Sequence, residues 1–300
     1  MKISSLRASF HSQLATLYQK QEIDAIFYIY IYEKYKIFKH QYFLNPEKCI
    51  VIEEKDIEEL SKGCPIQYVI GKTTFYDLEL NVNPSVLIPR PETEELVEHI
   101  LKSTSYLTTF AMSPSFNFEE MPAKSGQGSF TKILDLGTGS GAIAIALVKN
   151  LNNATAWATD ISKKALETAR QNAVNNNVEI NFLHHDLLKD DFKNLPDKLD
   201  IIVSNPPYIP QSERVLLHTN IVDYEPNEAL FVPDTNPFIY YDAIAAIAQK
   251  NLRKGGSLYL EIHEEFHTAL TALLLEQDFK DIILWNDING KPRFVGCKKL

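Results

Sequence analysis

Cysteine is scarce in this 300-residue chain. Cys49, Cys64 and Cys297 make an odd number with no CxxC spacing, so neither a disulfide framework nor a thiolate zinc site is indicated. Long apolar runs are missing too. No stretch approaches the ~20 residues that a bilayer demands, and the segment from Met1 to Arg7 lacks the continuous apolar core of an export signal; a cytoplasmic location is the expectation. The chain is also short of positive charge. With 30 Lys and Arg against 39 Asp and Glu, a net charge of −9, it is poorly suited to gripping long nucleic-acid backbones, an affinity that comes from cations displacing counterions. His184 and His185 have no third ligand beside them, and no metal is expected. The remainder is ordinary: 45% hydrophobic and 23% charged residues, enough for a large core and two domains.

From Met1 to about Ile70 apolar residues recur at helical spacing, through Leu6, Phe10, Leu14 and Leu17 and again from Ile23 to Phe38. The aromatic-rich stretch Ile26 to Tyr32 alternates like a strand, but the charges on either side favour the packed face of a small helical bundle. Gly63 to Ile66 ends this region, and a unit over 1–70 without catalytic residue pairs is expected to recognise rather than react. The segment 71–90 reads as a β-hairpin linker, with Phe75 to Asn83 alternating apolar and polar. A third unit then covers 91–300. Pro91 suits the first turn of a helix, Glu92 and Glu94 its positive end, and Leu96, Val97, Ile100 and Leu101 one buried face. The extended Pro-Arg-Pro before it sets Arg90 beside a helix N-terminus, where it can hold a carboxylate, or where it simply starts a helix well. The polar, Ser-, Thr-, Pro- and Gly-rich run from Ser103 to Phe130 shows no period and is expected to be a surface loop over 104–130.

Beyond it the pattern becomes strand, glycine turn, helix. Lys132 to Leu136 is a strand, Gly137, Gly139 and Gly141 form a turn, and an alanine-rich helix follows. Thr155 to Asp160 is a second strand ending in an acid, Ser162 caps the next helix, and Glu179 to His185 is a third strand ending at Asp186. A glycine-rich turn with an acid about 20 residues further on is the signature of a nucleoside-bearing cofactor. A dinucleotide site would read G-x-G-x-x-G, whereas this loop is D-x-G-x-G-x-G and keeps Asp135 in the strand. A carboxylate there can receive the ammonium of an amino acid, directly or through water, while Gly137, Thr138, Gly139, Ser140 and Gly141 let the backbone approach. Asp160 would take ribose hydroxyls, and Asp186 and Leu187 would sit by adenine. S-adenosylmethionine fits this set better than a nicotinamide dinucleotide.

Leu199 to Ser204 is a short apolar strand that stops at Asn205-Pro206-Pro207-Tyr208. The prolines have no N–H and fix the backbone, so the loop offers acceptors without competing donors. The Asn205 side-chain oxygen and the Pro206 carbonyl can accept both hydrogens of one planar NH2 group, and Tyr208 can stack on it. An amide or nucleobase nitrogen is a weak nucleophile, and two acceptors on its hydrogens favour the charge that develops on nitrogen during transfer. A stiff turn is the plain alternative, weakened if the two loops are neighbours at the switch point of a doubly wound α/β sheet. Further on, Pro237 to Leu252 and Glu264 to Gln277 read as helices and Gly255 to His263 as a strand. Asp281 to Ile288 pairs with Arg293 to Lys298 through Asn289-Gly290. Gln211 to Asn236 is expected to cover an acceptor pocket.

The run Asp135 to Leu147, the segments Val203 to Ile209 and Leu87 to Glu98, and later Asp223 to Leu230, Lys254 to Ile262 and Asp287 to Arg293, resemble in their order the protein-(glutamine-N5) methyltransferases of peptide-chain release factors. Asn-Pro-Pro-Tyr alone is shared with amino-methyltransferases of DNA adenine; the combination is specific. The resemblance implies a class I, Rossmann-like fold with a mostly parallel seven-stranded sheet behind an N-terminal helical substrate-recognition domain. It also implies S-adenosylmethionine as cofactor and the glutamine of the Gly-Gly-Gln tip of class I release factors as substrate. By the same likeness the glycine loop, Asp160, Leu187 and Asn205 bind cofactor, and Asn205, Pro206, Pro207 and Tyr208 hold the glutamine. Leu187 stands where relatives often carry an aromatic, and His263 where they usually carry glycine. A monomer is expected, with no membrane and no sequence-specific nucleic acid as partner. A nucleic-acid adenine methyltransferase or a non-catalytic adaptor are the competing readings.

Overall fold

The computed structural model describes residues 1–110, 130–189 and 194–300. At the N-terminus α1 (Ile3–Leu14), α2 (Lys20–Tyr35), α3 (Lys39–Leu44), α4 (Glu54–Ser61) and α5 (Ile66–Ile70) enclose their own core. Burial along α2 falls at Ile23, Ile26, Phe27, Tyr30 and Ile31, the spacing of one helix face. The strand-like alternation in its middle is therefore overridden by the helical period on either side. The turn at Gly63 does not end the helical region, because Pro65 starts α5, which Gly71 then closes in the left-handed conformation.

The hairpin β1 (Lys72–Phe75) and β2 (Leu78–Asn81) turns through Tyr76 and Asp77, both at positive φ, as a two-residue hairpin turn requires. Far from being a bare connection, it joins the body of the chain. Phe75, Leu78 and Leu80 pack with Leu96, Val97 and Ile100 of α6 (Pro91–Phe110), and Asn172 accepts from the Asn81 N–H and donates to the Asn81 carbonyl. Helix α6 continues through residues 103–110, into the segment expected to be a loop; there the Ser103 and Thr104 hydroxyls satisfy the Ile100 carbonyl. This local back-bonding lets polar residues ride on a helix. The rest of the expected loop, 111–129, lies outside the described residues.

Seven strands form one sheet in the order β10-β11-β9-β6-β3-β4-β5. They are β3 (Thr131–Leu136), β4 (Ala154–Asp160), β5 (Ile180–His184), β6 (Leu199–Ser204), β9 (Leu252–Glu261), β10 (Phe279–Asn286) and β11 (Pro292–Lys299). Only the pairings made by β11 are antiparallel. Helices α7 (Ala142–Asn150), α8 (Lys163–Asn175), α10 (Ile239–Asn251) and α11 (His267–Glu276) cover it. Alternate residues feed opposite faces: Leu134, Leu136, Ile202, Leu258 and Leu260 join α10 and α11, while Ile133, Ile201, Val203 and Tyr259 join α6 and α7. This two-sided burial is why the strands read as continuous apolar runs. Sequence order reverses between β3 and β6, so the switch point, where open α/β sheets bind ligands, lies there.

The segment after β6, with β7 (Ile209–Pro210), α9 (Thr219–Tyr224) and β8 (Phe231–Val232), reaches back to the helical bundle. His218 stacks on Tyr18 at 5.6 Å between ring centroids, and the Tyr224 hydroxyl donates to the Lys62 carbonyl at 2.9 Å. Glu225 closes the joint. Its side chain, 1% exposed, accepts from the Ile88 N–H and from Arg90 at 2.6 Å. Removing it would leave a half-buried guanidinium and a buried N–H without their acceptor. Glu225→Ala is expected to lower unfolding free energy by about 2 kcal/mol, measured by urea denaturation, whereas Glu265→Ala on the exposed surface should change it little.

Candidate active site

The glycine turn and the Asn-Pro-Pro-Tyr corner leave adjacent strands at the same height. Strands β3 and β6 are parallel with Leu136 opposite Ser204, so Gly137 and Asn205 each begin one step further on. The Ser204 hydroxyl donates to the Leu136 carbonyl at 2.6 Å, which ties the two strand ends directly together. On the far side of β3, Leu136 is opposite Thr159, and the Thr138 N–H donates to the Thr159 carbonyl at 2.8 Å. Asp160 thus arrives beside the glycine loop by register alone.

Within that loop Gly137 and Gly139 have φ of 72° and 55°, and a Cβ on either would meet nothing within 4 Å. The backbone there bends as L-residues avoid and faces open space, which is what close approach of a ligand needs. Asp160 accepts from the Gly139 N–H at 2.9 Å and from the Ser162 N–H at 2.8 Å. It fastens the loop to β4, and lone pairs remain for hydroxyl donors. Ser162 caps α8 by accepting from the Ala165 N–H, as expected.

Asp135 is wholly buried. One oxygen accepts from Thr138 at 2.6 Å and from the Ala144 N–H at 3.3 Å, and the other has no partner. Burial pushes its carboxyl up to about 7, against those two hydrogen bonds. A buried carboxylate with an unmatched oxygen beneath an open glycine loop fits a cationic ligand group such as an ammonium. Asp186 accepts from the Leu188 N–H and pairs with Lys189 at 3.0 Å, and Leu187 is buried in the core under α10. Tyr240 on α10 packs against that same core, and burial together with the nearby Asp186 charge raises its phenol.

Around the proline corner, the Tyr208 hydroxyl donates to Glu261 Oε1 at 3.0 Å, which fixes its ring. Burial and the Glu261 charge hold that phenol well above its ordinary value, so Tyr208 presents a face rather than a titrating proton. Asn205 Nδ2 donates to Thr93 Oγ1 at 3.2 Å, and Thr93 Oγ1 donates to Glu261 Oε2 at 2.7 Å. Pro206 is buried and Pro207 partly so. The carboxylate that Arg90 holds is that of Glu225.

Thr93 and Glu261 were not singled out as site residues in the sequence, although both lie in segments that carry the resemblance. Finding Glu261 needed the β6–β9 register, which sets Ser204 opposite Leu260 and so brings Glu261 level with Asn205.

His263 follows on the same strand end. Among the described residues, one trio, Glu213, His263 and Glu265, brings possible metal-ligand atoms within 4.8 Å of one another. The Glu265 N–H donates to His263 Nδ1 at 3.2 Å, which leaves the hydrogen on Nε2, 3.1 Å from Glu213. That tautomer occupies the atom a metal would need and makes the contact a positioning one. The ring also stands edge-on to Tyr208, with centroids 6.1 Å apart.

The fold defines a Rossmann-like α/β protein whose switch point sets a glycine loop beside a proline-locked corner. The "Methyltransferase small domain" model matches residues 117–226. The "Release factor glutamine methyltransferase" of Flavobacterium psychrophilum is 38% identical over 98% of both chains, that of Bacteroides thetaiotaomicron 37% over 82% of this chain and 80% of its own, and that of Lactococcus lactis 40% over 85% and 86%. Among solved structures, a 16S rRNA N2 G1207 methyltransferase of T. thermophilus overlays 76% of this chain and 50% of its own, at 18% identity and a TM-score of 0.48. The chain belongs to the release factor glutamine methyltransferase family.

The Asp135 carboxyl gives a pH test. Its folded pKa lies above the ordinary 3.8, so ionising it costs stability: nothing below about pH 4, progressively more toward about pH 7, and the full amount above that. Asp135→Asn is therefore expected to raise Tm relative to the parent at pH 8 and to give much less of that gain at pH 5, as read by paired thermal melts.

Proposed function

We propose that this chain transfers the methyl group of S-adenosylmethionine to the side-chain amide nitrogen of the glutamine in the Gly-Gly-Gln tip of class I peptide-chain release factors. One observation carries the reading: the β3–β6 register, which starts the glycine loop and the Asn205 corner side by side. Family membership supports the substrate, since relatives over nearly the whole chain carry that activity in their names.

The residues fit the cofactor. The unmatched Asp135 oxygen would take the ammonium, Gly137 to Gly141 the chain beside it, Asp160 the ribose hydroxyls, and Asp186 with Leu187 the adenine. When bound, the cofactor supplies an electrophilic methyl and leaves as S-adenosylhomocysteine. The chain's own work is positioning. The Asn205 side-chain oxygen and the Pro206 carbonyl accept the two amide hydrogens, drawing the nitrogen lone pair out of conjugation, and these bonds strengthen as positive charge grows on nitrogen; once the N–CH3 bond has formed and the S–CH3 bond has broken, one of those hydrogens is lost to water as a proton. The Tyr208 ring, anchored by Glu261, stacks on the carboxamide plane, and Arg90, whose carboxylate partner is Glu225, braces the segment leading into α6. On this reading the enzyme works as a monomer in the cytoplasm, with a protein partner. The acidic balance of the chain weighs against a nucleic-acid substrate.

Incubation with methyl-labelled cofactor and release factor, duplex DNA or buffer alone is expected to label the release factor only, and labelling of DNA would overturn the assignment. Asn205→Ala should lower kcat by at least about 100-fold while leaving the cofactor Kd within about threefold of the parent. Asp160→Ala should instead raise that Kd by about tenfold to a hundredfold, followed by calorimetric titration.

A further inference from the structure

We propose that the buried Glu261 carboxylate, acting through the Thr93 hydroxyl, decides which end of the Asn205 carboxamide faces the acceptor pocket. The inference rests on the amide-transfer reading above and names two positioning residues for it.

The two ends of a carboxamide have the same shape and opposite hydrogen-bonding character, so packing alone selects neither. Only the oxygen can accept a hydrogen from the substrate amide. With the NH2 end toward the pocket, two donors would face each other. The orientation must therefore be imposed from behind.

Glu261 is 2% exposed; burial pushes its carboxyl up, opposed by the Thr93 and Tyr208 hydrogen bonds and the nearby Arg293 charge, and in its ionised form it can only accept. It sits between two hydroxyls, with Thr93 Oγ1 at 2.7 Å from Oε2 and the Tyr208 hydroxyl at 3.0 Å from Oε1. Thr93 has a single hydroxyl hydrogen and is itself 5% exposed. Spending that hydrogen elsewhere would deprive a buried carboxylate of a donor, a costly loss. Thr93 Oγ1 is thus left with lone pairs alone toward Asn205, at 3.2 Å. The end of Asn205 that faces it must be Nδ2, and Oδ1 must point away. No described group donates to Oδ1. One buried charge consequently orients both working parts of the corner, the Asn205 acceptor and the Tyr208 ring.

The test compares Thr93→Val, Thr93→Ser and Glu261→Gln in the full chain, reading kcat and KM for release factor, cofactor Kd, and hydrogen exchange of the Asn205 side-chain NH2 by nitrogen-15 NMR. Valine keeps the shape of threonine and removes the acceptor. T93V is expected to lose about 10- to 100-fold in kcat with KM and cofactor Kd nearly unchanged, and its Asn205 NH2 exchanges faster. T93S restores the hydroxyl and recovers most of that loss. E261Q frees the Thr93 hydrogen and falls with T93V. Parental kcat and NH2 exchange in T93V, or loss of activity in T93S equal to that in T93V, would overturn the inference. Should the parent label no release factor, the transfer reading fails, while NH2 exchange still decides whether Thr93 holds the Asn205 amide.

Discussion

The proposed chemistry depends on one stretch of parallel pairing. Strands β3 and β6 lie side by side with Leu136 opposite Ser204, and the Ser204 hydroxyl caps the junction by donating to the Leu136 carbonyl. Because a strand's side chains alternate between faces, a one-residue slip would send the apolar residues of β6 to the wrong sides of the sheet. The register is thus enforced by the same burial that stabilises the fold. The relative position of the two loops comes from core packing rather than from any contact between the loops themselves.

Two wholly buried carboxylates serve the site in different ways. Glu261 has donors on both oxygens and lends its charge to orientation. Asp135 is matched on one oxygen and unmatched on the other, and burial raises its pKa. A buried acid with all its partners holds its neighbours in one arrangement, and one lacking a partner is a place where a ligand can contribute what the protein does not. Burial raises the carboxyls of both, and at Asp135, beneath the glycine loop, a binding partner would offset that cost.

What could be read from the amino-acid order follows the range of the forces involved. Strand β6, ending at Ser204 against two prolines, the Ser162 cap and the helix start at Pro91 are local effects, and they appear where the residues place them; Asn289-Gly290 does lie in the final hairpin's turn, but as part of a five-residue loop from Asp287 to Lys291, because Asn286 pairs with Pro292. The aromatic alternation inside α2 was resolved correctly by its flanks. Polar composition misled at residues 103–110, since Ser103 and Thr104 spend their hydroxyls on the preceding turn and let α6 run on. The roles of Thr93, Glu225 and Glu261 could not be read locally. Thr93 meets Glu261 across 168 positions and Arg90 meets Glu225 across 135. Such pairs exist only once strand order and the return of α9 to the bundle are known.

That return has a mechanical side. Helix α9 touches the helical bundle through Tyr18 and Lys62, and Glu225 just after it is bonded to the strap leading into α6. The first turn of α6 in turn carries Thr93, which holds Asn205. A short, mostly polar series of contacts therefore runs from the N-terminal helices to the carboxamide, from bundle to α9 to strap to threonine. One ring stack and a series of hydrogen bonds would have to stretch for the bundle to move without the carboxamide.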